Sequence, residues 1–533
     1  MQHLAAIGLL ITFFLPFLLT GCSHDKRPVD TASQAIPVLT VGTTMKVAGV
    51  NIEDYYFGIF RSVFTHKGLV KLDETGNFTG DLATAWQTSD GQTWTFNLRD
   101  DVTWHDGVKV TAADVKFTIE YNSKHSVEYK SHFSLINSIT TPDDKTLILT
   151  LARPAPRFLV NLLVLRILPQ HIFAAVDNPA AFNAPQAAIG CGPYIFAGFD
   201  AGAGIITYKA NTAYYRGAPP IPEIKVRLFK NPDALYMALQ NGQIDLPYTY
   251  AAGTDPIYAA NLAKNPKVRL MNVPNLGVSK ALIFNVTRPV VSDPQVRAAL
   301  AYAIDYDELV RLFAAGNGTH PTAGFVPGGT PGYTATRQLE FNPGRAGLLL
   351  EQSGYQLTDS GIREKNGQPL AFELLVRNDI PENIRLSELL QKYFATIGVK
   401  LRLKTVDSTL YRTISDRDKS HTSLLSRTTP WGMMMWAGMG TGYMDARNIG
   451  WAMVDDPRFQ ELVDKMNSTL SQDEYRQYSA AVQQYYAENL PVIPLYWDNF
   501  IQPCNASLTG WKISPTYGIL NEETWYSLQK AIP

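Results

Sequence analysis

Apolar residues in this chain change their spacing again and again, from every second position to every third or fourth. Trp94, Phe96 and Leu98 alternate with Thr95, Asn97 and Arg99, the period of a strand with one buried face. Leu147, Leu149 and Leu151 repeat the pattern after the Asp143-Asp144 turn, and Val399, Leu401 and Leu403 repeat it between Lys400, Arg402 and Lys404. Between such runs, Tyr55, Tyr56, Ile59, Phe60 and Val63 recur at helical spacing within 51–65. Leu386, Leu389, Leu390, Phe394 and Ile397 form one stripe of a long helix that Gly398 stops. Helix starts are marked by Thr111-Ala-Ala-Asp114, Asn231-Pro232, Ser292-Asp-Pro294 and Asp305-x-x-Glu308. A chain that mixes both periods throughout is α/β. Its 533 residues suggest about three or four compact units. Strands as short as 280–285 and 493–497 fit two lobes that the chain crosses more than once.

One segment stands outside this pattern. Leu4 to Thr20 is almost wholly apolar, and no Lys, Arg, Asp or Glu occurs before Asp25. It has the length of a secretory apolar core, is marginal for a membrane span, and contains Pro16. It ends in Leu19-Thr20-Gly21-Cys22, which resembles the bacterial lipobox. Residues 1–22 are therefore expected to be a lipoprotein signal peptide with Cys22 acylated, and 23–36 a flexible tether. An uncleaved anchor helix is the alternative. From Pro37 onward no segment has spanning length, so the body is expected outside the cytoplasm on the cell envelope, tied to the membrane by lipid.

The formal net charge of −1 argues against a nucleic-acid partner. The aromatic fraction of 11% fills cores and can also line a small-molecule cleft. No phosphate-binding loop, no G-x-S-x-G and no H-E-x-x-H occurs, and the nine histidines lack metal-ligand spacing. The expectation is a binding protein rather than an enzyme, without a cofactor. Cys191 and Cys504 could form one disulfide or could be two small buried residues; the second reading is preferred.

Three blocks carry a family resemblance. The first runs through Leu82-Ala-Thr-Ala-Trp86, Asp90 to Arg99, Trp104-His-Asp-Gly107 and Thr111 to Val115. The second is Ser292 to Asp305, and the third is Gly190-Cys-Gly-Pro-Tyr194, with Cys191 where the family usually has Thr or Ser. Together they resemble the peptide/nickel class (family 5) of ABC-importer solute-binding lipoproteins, and Gly361 to Leu370 resembles its nickel and metal–opine branch. The resemblance implies a two-lobed periplasmic-binding-protein fold of type II, cluster C-like, with an inserted domain. Lobe 1 would hold 37–64, 189–281 and 497–533, the inserted subdomain 65–188, and lobe 2 282–496. The implied mechanism is hinged closure over one ligand, handed on by a monomer to an ABC permease and its ATPase subunits. Trp86, Trp94, Phe96, Arg99, His105 and Arg297 read as parts of the frame.

Arg166 lies within the apolar run Leu159 to Leu168, so its charge must be compensated. Either it makes an internal salt bridge or it presents a guanidinium to a ligand carboxylate. The second reading is favoured, and its place resembles that of the arginine nickel-class relatives use for chelate carboxylates. The stretch Ser426 to Asn448 combines Arg, Trp, Met, Gly and Tyr in a probable-loop composition, longer than in most relatives. Arg427, Trp431, Tyr443, Arg447 and Asn448 are the further candidate contacts, with core packing as the alternative for Trp436 and the methionines. An arginine-rich, apolar cleft would take a metal already chelated rather than a bare ion. Import of a nickel or related divalent-metal chelate, opine-like or histidine-based, is the first expectation, and a di- or oligopeptide the second. A secreted hydrolase and an envelope adhesin are readings from other classes.

Overall fold

The computed structural model of the protein describes residues 35–125, 133–248, 253–273, 280–314, 316–328, 330, 332–427, 441–514 and 516–531. Helices and strands alternate along all of them, on separate sheets.

The lobe 1 sheet has five strands in the order Leu246–Pro247, Val38–Thr43, Glu223–Leu228, Ile205–Ala210 and Tyr194–Asp200. The first three are parallel, so their carboxyl ends share one edge. The chain returns to this lobe at its end. Phe500–Asn505 pairs with Val268–Val273, and Trp525 of the helix Glu522–Ser527 packs among Phe64, Tyr194 and Tyr208.

The inserted region has its own antiparallel four-stranded sheet, ordered Ala83–Gln87, Thr93–Leu98, Thr146–Leu151 and Ile136–Asp143. Trp94, Phe96, Leu147, Leu149 and Leu151 all face one core, which is what the alternation requires. The helix Ala112–His125 starts where expected, because the Asp114 carboxylate accepts the Thr111 backbone N–H at 2.9 Å. The Gly190 to Tyr194 motif has a steric reason. A Cβ on Gly190 would sit 1.8 Å from the Thr65 carbonyl oxygen, and one on Gly192 would sit 2.5 Å from that of Phe64. His105 staples the same turn: its Nδ1 accepts the Gly190 N–H at 3.2 Å, and its Nε2 reaches the Gly192 carbonyl at 3.1 Å.

Lobe 2 is built on a six-stranded sheet in the order Gly318–Thr319, Val492–Asp498, Lys280–Phe284, Ser423–Ser426, Ala371–Arg377 and Lys400–Val406. The half-exposed strand read at 399–404 is its edge strand. The Arg297 guanidinium is buried and donates to the carbonyls of Asn489, Leu490, Val291 and Ser292 at 2.5–3.0 Å, so it ties the helix Pro294–Tyr302 to the chain before Val492.

Some boundaries differ from the sequence reading. The helix expected over 51–65 begins at Tyr55, where the Asp54 carboxylate caps Phe57, and its second half is a π-helical turn, Arg61–Thr65. Tyr55 and Tyr56 lie on its exposed side, while Phe57, Ile59, Phe60, Val63 and Phe64 face the core. The helix from Pro294 stops at Tyr302, two residues before Ile304. The lobe 2 sheet reaches two residues beyond each end of 282–496, to Lys280 and Asp498. Cys191 and Cys504 are buried in two different cores and are unpaired. Among the described residues, no helix is long and apolar enough to cross a membrane.

Candidate functional site: two facing sheet edges

In open α/β sheets, ligands sit outside the carboxyl ends of the strands, where the connections leave a crevice. Lobe 1 presents such an edge. Tyr248 directly follows the strand Leu246–Pro247, and the helix carrying Tyr55 and Tyr56 follows Val38–Thr43. Tyr248 is buried, its hydroxyl finds no hydrogen-bond partner among the described residues, and burial, then Tyr517 and Tyr55, push that hydroxyl's pKa well up. Tyr517 links this group to Arg166, whose Nη2 donates to the tyrosine oxygen at 2.7 Å. Arg166 Nη1 donates to the carbonyls of Leu163 and Leu165 at 2.9 and 3.1 Å, so the guanidinium plane is held from the main chain. Gly68 makes room for it: a Cβ there would lie 3.1 Å from Nη1.

Lobe 2 presents the complementary edge. Arg377, Ser426 and Asp498 end strands that run the same way, and Lys280 begins the strand running opposite to them. Arg427 follows Ser426 at this edge. Lys280 is 6% exposed; its Nζ lies 2.9 Å from Glu382 Oε2 and 2.7 Å from Asn383 Oδ1. The Tyr496 hydroxyl donates to Glu382 Oε1 at 2.7 Å. Burial pushes the Lys280 ammonium pKa down against the pull of Glu382. Burial also works to raise the Glu382 carboxyl, but Lys280, Tyr496 and Arg427 hold it below its ordinary value.

The two lobes touch. Arg385 of the helix Pro381–Thr396 lies 3.7 Å from Asp255, Arg157 of the inserted region stacks 4.0 Å over the Tyr475 ring, and Tyr56 is within electrostatic reach of Arg377.

The sequence candidates divide accordingly. Arg427 lies at the lobe 2 edge after Ser426, and Arg166 lies beside Tyr517 in lobe 1. Trp431, Trp436 and Cys22 lie outside the described residues. Tyr443 and Arg447 are committed inside lobe 2. Tyr443 is buried and stacks on Trp451 with ring centroids 4.0 Å apart. Arg447 is neutralised by Asp445 at 2.7 Å and Asp464 at 2.9 Å. Asn448 accepts the N–H of Ile449 at 2.9 Å and packs against Gly442. A guanidinium already gripped by two carboxylates has little left for a third, and in this structure Arg447 holds its own loop. Sequence reading missed Lys280, Glu382, Tyr496 and Tyr517. For Lys280 there was a signal: a lone cation opening the apolar run Ala281 to Phe284, as Arg166 sits in its own. Tyr517 carried none, because only the return of the chain's end places it beside residue 166.

Two sheets whose carboxyl edges face each other across crossing strands define a two-lobed periplasmic-binding-protein architecture. The description "Bacterial extracellular solute-binding proteins, family 5 Middle" matches residues 77–460, and the chain belongs to that family. Among solved structures it is similar to NikZ from Campylobacter jejuni in complex with Ni(L-His), at 25% identity and a TM-score of 0.73, with 93% of this chain and 99% of that one covered. It is similar in fold to NikA from Brucella suis in complex with Fe(III)-EDTA, at 19% identity and a TM-score of 0.81, covering 93% and 100%. A Brucella ovis protein named as an ABC transporter peptide-binding protein is 27% identical over 353 residues, which span 64% of this chain and 63% of that relative. The oligopeptide-binding protein AppA of Bacillus subtilis is 23% identical over 98% of both chains. The Brucella ovis and Bacillus subtilis relatives are named as binding proteins, and none of the four is named as an enzyme.

Proposed function

We propose that this chain is the solute-binding component of an ABC importer that captures a chelate of nickel or a related divalent metal, with an opine-like or histidine chelator, and delivers it to the permease. The observation that carries the reading is Arg166, a guanidinium fixed by two carbonyls and Tyr517 in lobe 1, together with the cations Lys280 and Arg427 side by side at the strand edge of lobe 2. Guanidinium, ammonium and phenol groups recognise carboxylates, whereas a bare divalent ion needs imidazole, thiolate or carboxylate donors. Lobe 1 (37–64, 189–281 and 497–533, with the insert 65–188) and lobe 2 (282–496) are the bodies that close, the strand ends Lys280 and Asp498 moving with the lobe 2 sheet. Arg166 and Arg427 take ligand carboxylates, and Trp431 packs on the chelator from the loop that Tyr443, Arg447 and Asn448 hold. Cys22 anchors the protein by lipid on the outer side of the membrane, as a monomer.

Calorimetry of the purified protein with Ni²⁺, Ni(L-His)₂, Fe(III)-EDTA and a tetrapeptide tests this. A chelate should bind, and Arg166→Lys should weaken it by about tenfold or more, because an ammonium cannot hold the carbonyls and the ligand together. Tight binding of bare Ni²⁺ would refute the reading. The second reading, a di- or oligopeptide, is favoured by the names of the Brucella and Bacillus relatives, and preferential binding of the tetrapeptide would select it. Loss of labelled-palmitate incorporation in Cys22→Ala would support the anchor, and undiminished incorporation would refute it.

A further inference from the structure

The helix Pro381–Thr396 begins at the lobe 2 edge without a side-chain cap; Ile380 holds the capping position and Pro381 the first turn. Its positive end therefore lies beside Lys280 and Arg427. Against them stands Glu382, already gripped by Lys280 and Tyr496, while Asp498 at the end of its strand acts on Lys280 more weakly than Glu382 or Arg427. Two of the three Lys280 donors are used by Glu382 and Asn383. A buried ammonium held this firmly, at the mouth of a strand edge and next to a second cation, forms with Arg427 a fixed cationic group in lobe 2, countered by Glu382 and Asp498. Lobe 1 has its own in Arg166, held by Leu163, Leu165 and Tyr517.

We propose that Lys280, positioned by Glu382 and Tyr496 beside Arg427, is a specificity-determining cation that takes a second ligand carboxylate while Arg166 takes the first. The ligand class is then a di- or polycarboxylate, each end answered by a different lobe, which makes closure depend on both charges. The inference rests on the chelate reading above and narrows it. Lys280 and Tyr496 also sit on the two strands that enter and leave lobe 2, Lys280–Phe284 and Val492–Asp498, paired at this register. A carboxylate at Lys280 thus acts where the chain crosses between lobes.

The test uses Fe(III)-EDTA as the polycarboxylate probe and Ni(L-His)₂ and tetra-alanine for comparison, titrated by calorimetry into the full chain. Lys280→Met should lower Fe(III)-EDTA affinity about tenfold or more, and Lys280→Arg should restore most of it. Glu382→Gln keeps an acceptor oxygen for Lys280, turns its amide N–H to the Tyr496 oxygen and removes the opposing charge, so it should tighten Fe(III)-EDTA by several-fold and leave tetra-alanine nearly unchanged. A purely structural ion pair gives the opposite sign, a lower melting temperature with affinity unchanged or weaker. Should Lys280→Met fail to fold, the sign of the Glu382→Gln effect decides alone. If chelates bind the wild type and Arg166→Lys weakens them while Glu382→Gln does not tighten them, the inference is overturned and the chelate reading stands. If only tetra-alanine binds the wild type, both fall.

Discussion

His105 shows how a histidine in a family motif becomes part of the frame. Burial pushes its pKa down from 6.5 to about 4, against the opposing hydrogen bond to the Gly192 carbonyl. It is a base that the fold keeps neutral, so as pH falls from about 6.5 the unfolded chain takes up the proton first. Stability is lost from there down to about 4 and no further below, by about 3 kcal/mol. His66, packed one residue from Thr65 and lowered by burial, Arg61, His105 and Arg166, acts in the same direction. Urea unfolding of His105→Gln and wild type should therefore show a stability gap that is wide at pH 7 and narrows at pH 4.5. An equal gap at both would contradict this account. Arg297 makes the parallel point for charge. Burial brings it down to about 10, yet it has four carbonyl partners, which is why an arginine expected in the frame is found there.

Elements were legible wherever a local rule fixes them. Asp305 caps the helix Tyr306–Phe313 by accepting the Glu308 N–H at 2.9 Å, and Asn231 caps Pro232–Gln240 by accepting that of Ala234 at 2.9 Å. Asp305→Ala should cost about 1 kcal/mol, read as a fall in the urea midpoint with an unchanged slope. The π-helical turn Arg61–Thr65 was not legible. It coincides with the close approach of Gly190 and Gly192 to the Phe64 and Thr65 carbonyls, a contact more than a hundred residues away in sequence. The same limit explains Tyr55 and Tyr56. Their spacing matches a core stripe, but a helix at a sheet edge buries only one part of its circumference; both rings are left exposed, and Tyr56 is within electrostatic reach of Arg377 in the other lobe.

At the scale of the molecule, contacts between lobes set how long a closed state lasts. Arg157 stacks over Tyr475 at 4.0 Å; burial lowers its pKa, and its Nε and Nη2 find no hydrogen-bond acceptor among the described residues. The contact involves no strand edge, so it should act on closure whatever the ligand. Arg157→Ala should speed release of every bound probe alike, about fivefold for a contribution of about 1 kcal/mol, measured by stopped-flow displacement. A selective effect on one probe would place Arg157 in the binding site instead.

The chain's order of residues determined the α/β class, the caps, the alternating strands and the family blocks, because each depends on neighbours within a turn or a strand. It also marked Arg166, since a charge in an apolar run must find partners wherever the chain goes. Only the tertiary structure decided what those partners are. Tyr517 reaches Arg166 across 351 positions, Glu382 reaches Lys280 across 102 or so, and Arg447 is satisfied by Asp464 in its own lobe. Electrostatics acts through space, and the sequence distance between two charges says nothing of the distance across a cleft.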